Sequence, residues 1–356
     1  MAAPISKAEK SFIQAGILLD TPTRPDGRAL HEFRDIQLET GVAPLASGSA
    51  RLTIGAGKDG SGGTEVWAAT KLEVIDVAEG ERRGVVCSVT CSPQAYPQLS
   101  TPALDDLQHD LAALLDDTLS HPSLLPANLV IIPGDEATNA NNEPNQSGTR
   151  KRAPPPKKAW LLALDCVVLA AAGSVMDALF MAARAALWDT RVPRTRAVEY
   201  RAAGSGSGAK VGQSDMDVDA HPASAFDTRD SVRAAADFEL LDYWEEGEVL
   251  EGRARWPVGV TLNLIPPSPV YFLDASPQEE ASAPMRCFAA YSFDDGPRLQ
   301  ALRLLGSAEV PLGDMERLLK EAENCALQVY TALNMRLEQE DVRREQDERQ
   351  RFNVAR

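Results

Sequence analysis

Ten residues, Trp160 to Leu169, are almost uninterruptedly apolar, and an Ala/Gly/Ser turn ending at Val175 follows them. Behind the turn, positions 175, 176, 179, 180, 183, 186 and 187 are apolar at helical spacing to about Trp188. A run that short with no polar alternation suits a strand inside a sheet, and a helix apolar on nearly every side must be covered on more than one side. The segment therefore predicts a strand, a tight turn and a buried helix at the centre of an α+β fold. Ser174 with Asp177 has the spacing of a capping box for that helix.

The remaining pattern fits sheets around this unit. Asp35 to Thr40, Ser49 to Ile54, Thr64 to Val77 and Val85 to Val89 carry β-branched or alternating residues, with Gly55 to Gly63 as a turn. They predict an antiparallel meander. Ser6 to Leu18 has helical spacing, and Thr101-Pro102 offers an N-cap and first-turn proline for a helix over Ala103 to Leu119. Further strands are expected at Asn128 to Ile132, Val258 to Ile265, Val270 to Leu273, Arg286 to Phe293 and Gln300 to Leu305. Asp314 is placed to cap a last helix. Residues 134–158 and 201–230 are Asn/Pro/Gly- or Gly/Ser-rich and predict insertions, the first ending in a basic run from Arg150 to Lys158. The division expected is an N-terminal helical extension over 1–20, one domain over 21–335 carrying the two insertions, and a charged helical tail over 336–356.

Charge and composition exclude several classes. A formal charge of −16 opposes free, non-specific binding to nucleic acid, because that affinity comes mainly from Lys and Arg displacing counterions. No run of about 18 apolar residues suggests a membrane span, and Met1 to Lys10 lacks the apolar core of a secretory signal, so an intracellular protein with no membrane partner is expected. Five scattered cysteines read as buried thiols. Cys87 and Cys91 lack a second Cys/His pair with zinc spacing, so no metal site is expected, and no cofactor.

The local motifs are weak. Gly55-Ala-Gly57-Lys58 lacks the flanking residues of a phosphate loop, and Gly204 to Gly208 has neither the strand nor the helix of a dinucleotide site. His31, His109, His121 and His221 have no nucleophile to serve. Arg51, Arg82 and Arg83 are the candidates for an RNA path. The Arg82-Arg83 pair sits in a turn where Glu79 and Glu81 offset it.

Taken in order, Arg24-Pro-Asp-Gly-Arg28, Gly48-Ser-Ala-Arg51, Thr64-Glu-Val-Trp67, Lys71-Leu-Glu-Val74, Cys91-Ser-Pro93, Val168-Leu169 with Gly173, Val192-Pro193, and Asp274 with Glu279-Glu280 resemble the ribonuclease PH family over about residues 20 to 335. The opening Ser6-Lys-Ala-Glu-Lys10, with Ile13 and Gly16, is most similar to one type of ring subunit of the eukaryotic RNA exosome. The resemblance implies a ribosomal-protein-S5-domain-2-like fold of mixed sheets packed with helices. It also implies a place in a six-membered ring of homologous chains, with S1/KH-type RNA-binding caps, a separate exonuclease and RNA as partners. The nucleus and nucleolus, and also the cytoplasm, are the implied locations.

Active members of the family cleave RNA with inorganic phosphate. They carry an acidic residue in the turn, in a pattern like Val-Leu-Gln-Ala-Asp-Gly-Gly-Thr, and phosphate- and RNA-binding arginines on the helix that corresponds to Ala103 to Leu119. Here the turn has Ala172 and Val175, and the helix has no Lys or Arg but carries Asp105, Asp106, Asp110, Asp116 and Asp117. Losing one charge-stabilising donor commonly costs about 10²- to 10³-fold in rate, and several are missing together. The expectation is a subunit with no catalytic residues that channels RNA to a separate nuclease. The alternatives are an active or composite-site phosphorolytic exoribonuclease, another non-catalytic ring paralogue, or a stand-alone RNA-binding module.

Overall fold

The computed structural model describes residues 5–57, 62–77, 84–132, 158–198, 237–240 and 247–354. The apolar run forms β6 (Lys158–Ala170), the long inner strand of the first sheet. On one side it pairs antiparallel with β3 (Thr64–Asp76), followed outward by β2 (Gly48–Ile54) and β1 (Ile36–Thr40). On the other side lies β4 (Val85–Cys91), parallel to β6, and the short β5 (Val130–Ile132) also pairs with β6.

The predicted meander therefore holds for three strands and fails at the fourth. A parallel pair needs a crossover of roughly a dozen residues or more. Helix α2 (Thr101–Leu119) lies within that crossover and packs against β4. Its N-cap is Ser100 rather than Thr101, with no side-chain bond.

Helix α3 (Val175–Asp189) is buried along nearly its whole length because it is enclosed between β2 and β3 of the first sheet and β11 (Val258–Leu264) of a second. That second sheet has the order β12 (Tyr271–Phe272), β11, β13 (Met285–Ser292), β14 (Arg298–Gly306). Helix α5 (Leu312–Val354) covers β11 and β13. It begins two residues before Asp314, which stands in its first turn.

Helix α1 (Lys7–Ile17) opens on a complete capping box, Ser6 with Glu9, and packs Ile13 and Ile17 on Ile265, Phe272 and Ala275. Two small ribbons were not foreseen: β7 (Arg191–Val192) with β10 (Glu248–Val249), and β8 (Thr195–Val198) with β9 (Asp237–Leu240). Strands of two to four residues carry too little alternation to register. The predicted insertions lie outside the described residues, except Lys158, which opens β6.

Beyond Arg336 helix α5 continues to Val354, and its first turns there are docked rather than fully solvated. Leu337 is buried, Asp341 accepts from Trp188 Nε1 (3.0 Å) and pairs with Arg253 (2.8 Å), and Arg344 pairs with Asp189. One turn earlier, the buried Arg184 stacks on Tyr330 and donates to Asn334 (2.7 Å). The charged residues of this stretch were legible, but their partners on α3 were not.

Candidate functional site

The site to be tested is the turn between β6 and α3, with whatever cations surround it. Gly173 has φ +89° and Ser174 φ +51°, two consecutive left-handed residues that reverse the chain. A Cβ on Gly173 would collide with the carbonyl oxygen of Ala275. The Ser174 hydroxyl makes no cap bond to α3, so the predicted capping box is absent. Its would-be partner Asp177 is fully buried and instead accepts a hydrogen bond from the Thr261 hydroxyl.

Thr64 fastens the turn from β3. Its hydroxyl donates to the Gly173 carbonyl (2.6 Å) and accepts from the Ala172 amide (3.0 Å). From the other side Arg34 donates to the Ala172 carbonyl (2.7 Å). Residue 172, between these contacts, contributes only the methyl group of an alanine.

Arg34 belongs to a cluster that joins two of the motifs. It grips Asp274 through Nε (2.8 Å) and Nη2 (2.6 Å), and its backbone amide donates to the same carboxylate (2.8 Å). Arg28 donates to Asp274 (2.8 Å) and Asp26 (2.7 Å). Arg24 forms a bidentate pair with Glu279 (2.8 and 2.7 Å) and donates to the carbonyls of Leu273 and Asp274. The side chains of Arg24 and Glu279 are completely buried.

Glu279 also completes a capping box with Ser276 at α4 (Pro277–Ser282). Burial pushes the Asp274 carboxyl up, but the hydrogen bonds and charge of Arg34, with Arg28, more than offset it and leave it below its ordinary range. These arginines hold carboxylates that lie about 240 residues away along the chain, as the Arg34–Asp274 pair shows.

Another matched motif also has a packing reason. A Cβ on Gly48 would collide with the Thr190 backbone, while the Ser49 amide donates to Asp189 (2.9 Å), so strand β2 can rest on the end of α3 only with glycine there.

Arg51, the described member of the expected RNA path, lies on β2. It pairs with Glu65 (2.8 Å) and Glu39 (3.7 Å), with its guanidinium over the Trp67 ring. Arg82 and Arg83 lie outside the described residues. On α2, Asp106, Asp110 and Asp117 are exposed on one face, and Asp110 pairs with Arg303 of β14. Asp116 turns to the β4 backbone, where it accepts from the Cys87 amide (3.2 Å).

Sequence reasoning singled out Asp177 as a capping partner and not as a buried titratable group. Burial raises its carboxyl to about 7, with the Thr261 bond opposing, and its Oδ2 has no hydrogen-bond partner. Buried acids of this kind look like any helix-cap Asp in sequence. The five cysteines are buried, and burial raises Cys91 and Cys287 to about 11 and Cys166 to about 12, which argues against reactive thiolates there. Among the described residues no three His, Cys, Asp or Glu side chains converge as a metal cluster, and no helix is long and apolar enough to cross a membrane.

Residues 32–193 match the family described as the 3' exoribonuclease family, domain 1. A Dictyostelium discoideum protein named as exosome complex exonuclease RRP42 is 28% identical over 228 residues, 55% of this chain and 66% of that one. The exosome complex component Rrp42 of Methanothermobacter thermautotrophicus is 28% identical over 49% of this chain and 55% of its own. A Saccharolobus islandicus Rrp42 is 30% identical over 49% and 54%. The chain thus spans between about half and two thirds of the length of these curated relatives.

Their names agree with the N-terminal likeness to ribosomal RNA-processing protein 42 among the exosome ring subunits. Among solved structures, the Archaeoglobus fulgidus exosome with RNA bound to the active site superposes with a TM-score of 0.58 at 20% identity, covering 91% of this chain and 97% of that one. An archaeal exosome core gives 0.56 at 20%, covering 92% and 96%. Residues 32–193 are therefore similar to the first domain of the 3' exoribonuclease family, and the described fold is like that of chains in archaeal exosome cores.

Proposed function

We propose that this chain is a non-catalytic structural subunit of a six-membered exosome ring, supporting 3'-to-5' RNA processing and degradation by channelling RNA to a separate nuclease. The observation that carries the reading is the disposition of charge around the turn. Phosphorolysis is mostly positioning and charge stabilisation of an anionic transition state. Here the turn offers Ala172 and no acid, α2 offers carboxylates and no Lys or Arg, and Arg24, Arg28 and Arg34 are engaged with Asp274 and Glu279. A phosphate beside α2 would meet like charge.

The partners in this reading are the other ribonuclease PH-like ring chains, the S1/KH-type caps, the separate exonuclease and RNA. The division into 1–20, 21–335 and 336–356 is retained as a proposal, as are the nuclear, nucleolar and cytoplasmic locations. Arg51, Arg82 and Arg83 remain its RNA-path candidates, with Arg51 holding most of its charge against Glu65 and Glu39. The test is gel filtration and pull-down of the full chain with the other ring chains: co-elution as one ring is expected, and a purified chain that ignores them overturns the reading.

A composite site completed by a neighbour is the second reading, favoured by the exonuclease name of the Dictyostelium relative. It requires a cation from this chain near the turn, and Arg34, the arginine seen there, is bound to Asp274.

A further inference from the structure

The two large sheets have four terminal strands, and they are finished differently. An edge strand exposes unpaired N–H and C=O groups that invite another strand, so proteins usually blunt it. On β4, Gly84 and Ser92 bond to β6, which turns the odd-numbered amides outward. Two of these are capped by α2: Cys87 N by Asp116 (3.2 Å) and Cys91 N by Gln108 (3.0 Å). Strand β12 is only two residues long and stands beside Pro266, Pro267 and Pro269. Strand β1 is five residues long and carries the exposed Glu39.

Of these devices strand β14 has only exposed charge, at Arg298 near its start. It runs nine residues, about 30 Å, without proline or lysine, and nothing among the described residues pairs with its outer side. A bulge at Ala290/Tyr291 sets Leu299 opposite Tyr291, Leu302 opposite Ala289 and Leu304 opposite Cys287, so the three leucines share one face. Their inner neighbours on β13 are buried beneath α5, and Tyr291 donates to the Leu319 carbonyl (2.8 Å). The leucines themselves lie beyond that cover, 43%, 42% and 46% exposed. The opposite face of β14 sends Arg303 to Asp110, which brings the acidic face of α2, Asp106, Asp110 and Asp117, alongside the same strand.

We propose that β14 is the strand to which a neighbouring ribonuclease PH-like chain adds an extended segment. That segment lays apolar side chains on Leu299, Leu302 and Leu304 and presents Lys or Arg to the acids of α2. Backbone pairing gives the docking its reach, the leucines give it area, and the acids select a basic neighbour. The assignment rests on the ring reading above, and the experiment separates the two.

The full-length chain and its Leu302→Lys/Leu304→Lys variant are compared in pull-downs with the other ring chains. Two distinct neighbours are expected on the wild type, and the variant releases one of them by about tenfold or more while keeping the other. A wild type that binds no ring chain removes the ring reading itself. A variant that keeps both neighbours, or loses both, overturns the edge assignment alone. Hydrogen exchange on the wild type does not depend on the variant folding: alternate β14 amides are expected to exchange freely in the isolated monomer and to slow by about tenfold or more with the neighbour bound. Slow exchange in the monomer means that the chain's own residues cover the edge, and overturns the proposal.

Discussion

The N-terminal arginine cluster and helix α2 sit at opposite extremes of the same electrostatic problem. In the first, Arg24, Arg28 and Arg34 are gathered on Asp274 and Glu279, and the innermost pair is completely buried. In the second, exposed carboxylates face outward, and Arg303 reaches one of them from β14. Among the described residues, the arginines of the first region bind the chain's own carboxylates, and the carboxylates of α2 meet Arg303 of β14. The first arrangement ties distant parts of the fold together, and the second sets negative charge on the surface, which is the contrast on which the proposed function rests.

The comparison can be broken first at its buried end. Arg24→Ala leaves the buried Glu279 without its bidentate partner and with only Arg28, 4.0 Å away, as a counter-charge, and should cost about 3–5 kcal/mol of stability in urea unfolding. Arg24→Met with Glu279→Leu should recover most of that loss. A loss for the single variant no larger than a surface pair's would mean that the cluster is not what holds these motifs together.

Gly173→Ala comes next. The left-handed backbone costs roughly 1–3 kcal/mol for a residue with a side chain, and the Ala275 carbonyl occupies the space of the new methyl. A lowered melting temperature is the check.

Asp177 sharpens the comparison through pH, being a buried acid with no cation beside it. Its folded value is about 7 against an ordinary 3.8, so the neutral form is the one the fold favours. Its contribution is full below about pH 4 and is lost as pH rises through 7. Asp177→Asn should flatten the fall in stability between those limits, measured by unfolding at several pH values. An unchanged slope would contradict the assignment. The smallest effect is expected at Asp110→Ala, where an exposed pair with Arg303 should be worth less than about 1 kcal/mol.

Sequence carried the central unit well because periodicity is local. Strand β6, helix α3, the helical spacing of α1 and the apolar face of α5 as far as Leu333 were all legible. Ala172 in the turn and the carboxylates of α2 were legible as residues, and the family resemblance supplied the expectation attached to them. What could not be read is long-range or geometric. Nothing near Arg34 announces Asp274, and nothing in Val85 to Cys91 says that β4 lies parallel to β6 rather than continuing the meander. Ser174 had the spacing of a cap but not its backbone, since φ +51° places it outside the extended region a cap residue uses. Trp188 and Asp189 gave no hint that residues beyond Arg336 would dock on them.

The most direct measurement is release of nucleoside diphosphates from RNA by added inorganic phosphate, first with the chain alone and then with the assembled ring. The account predicts no phosphate-dependent release from the isolated chain, and in the ring no dependence of any release on the turn, tested with Ser174→Ala. Phosphorolysis by the chain alone, or release in an intact ring abolished by that substitution, would contradict it.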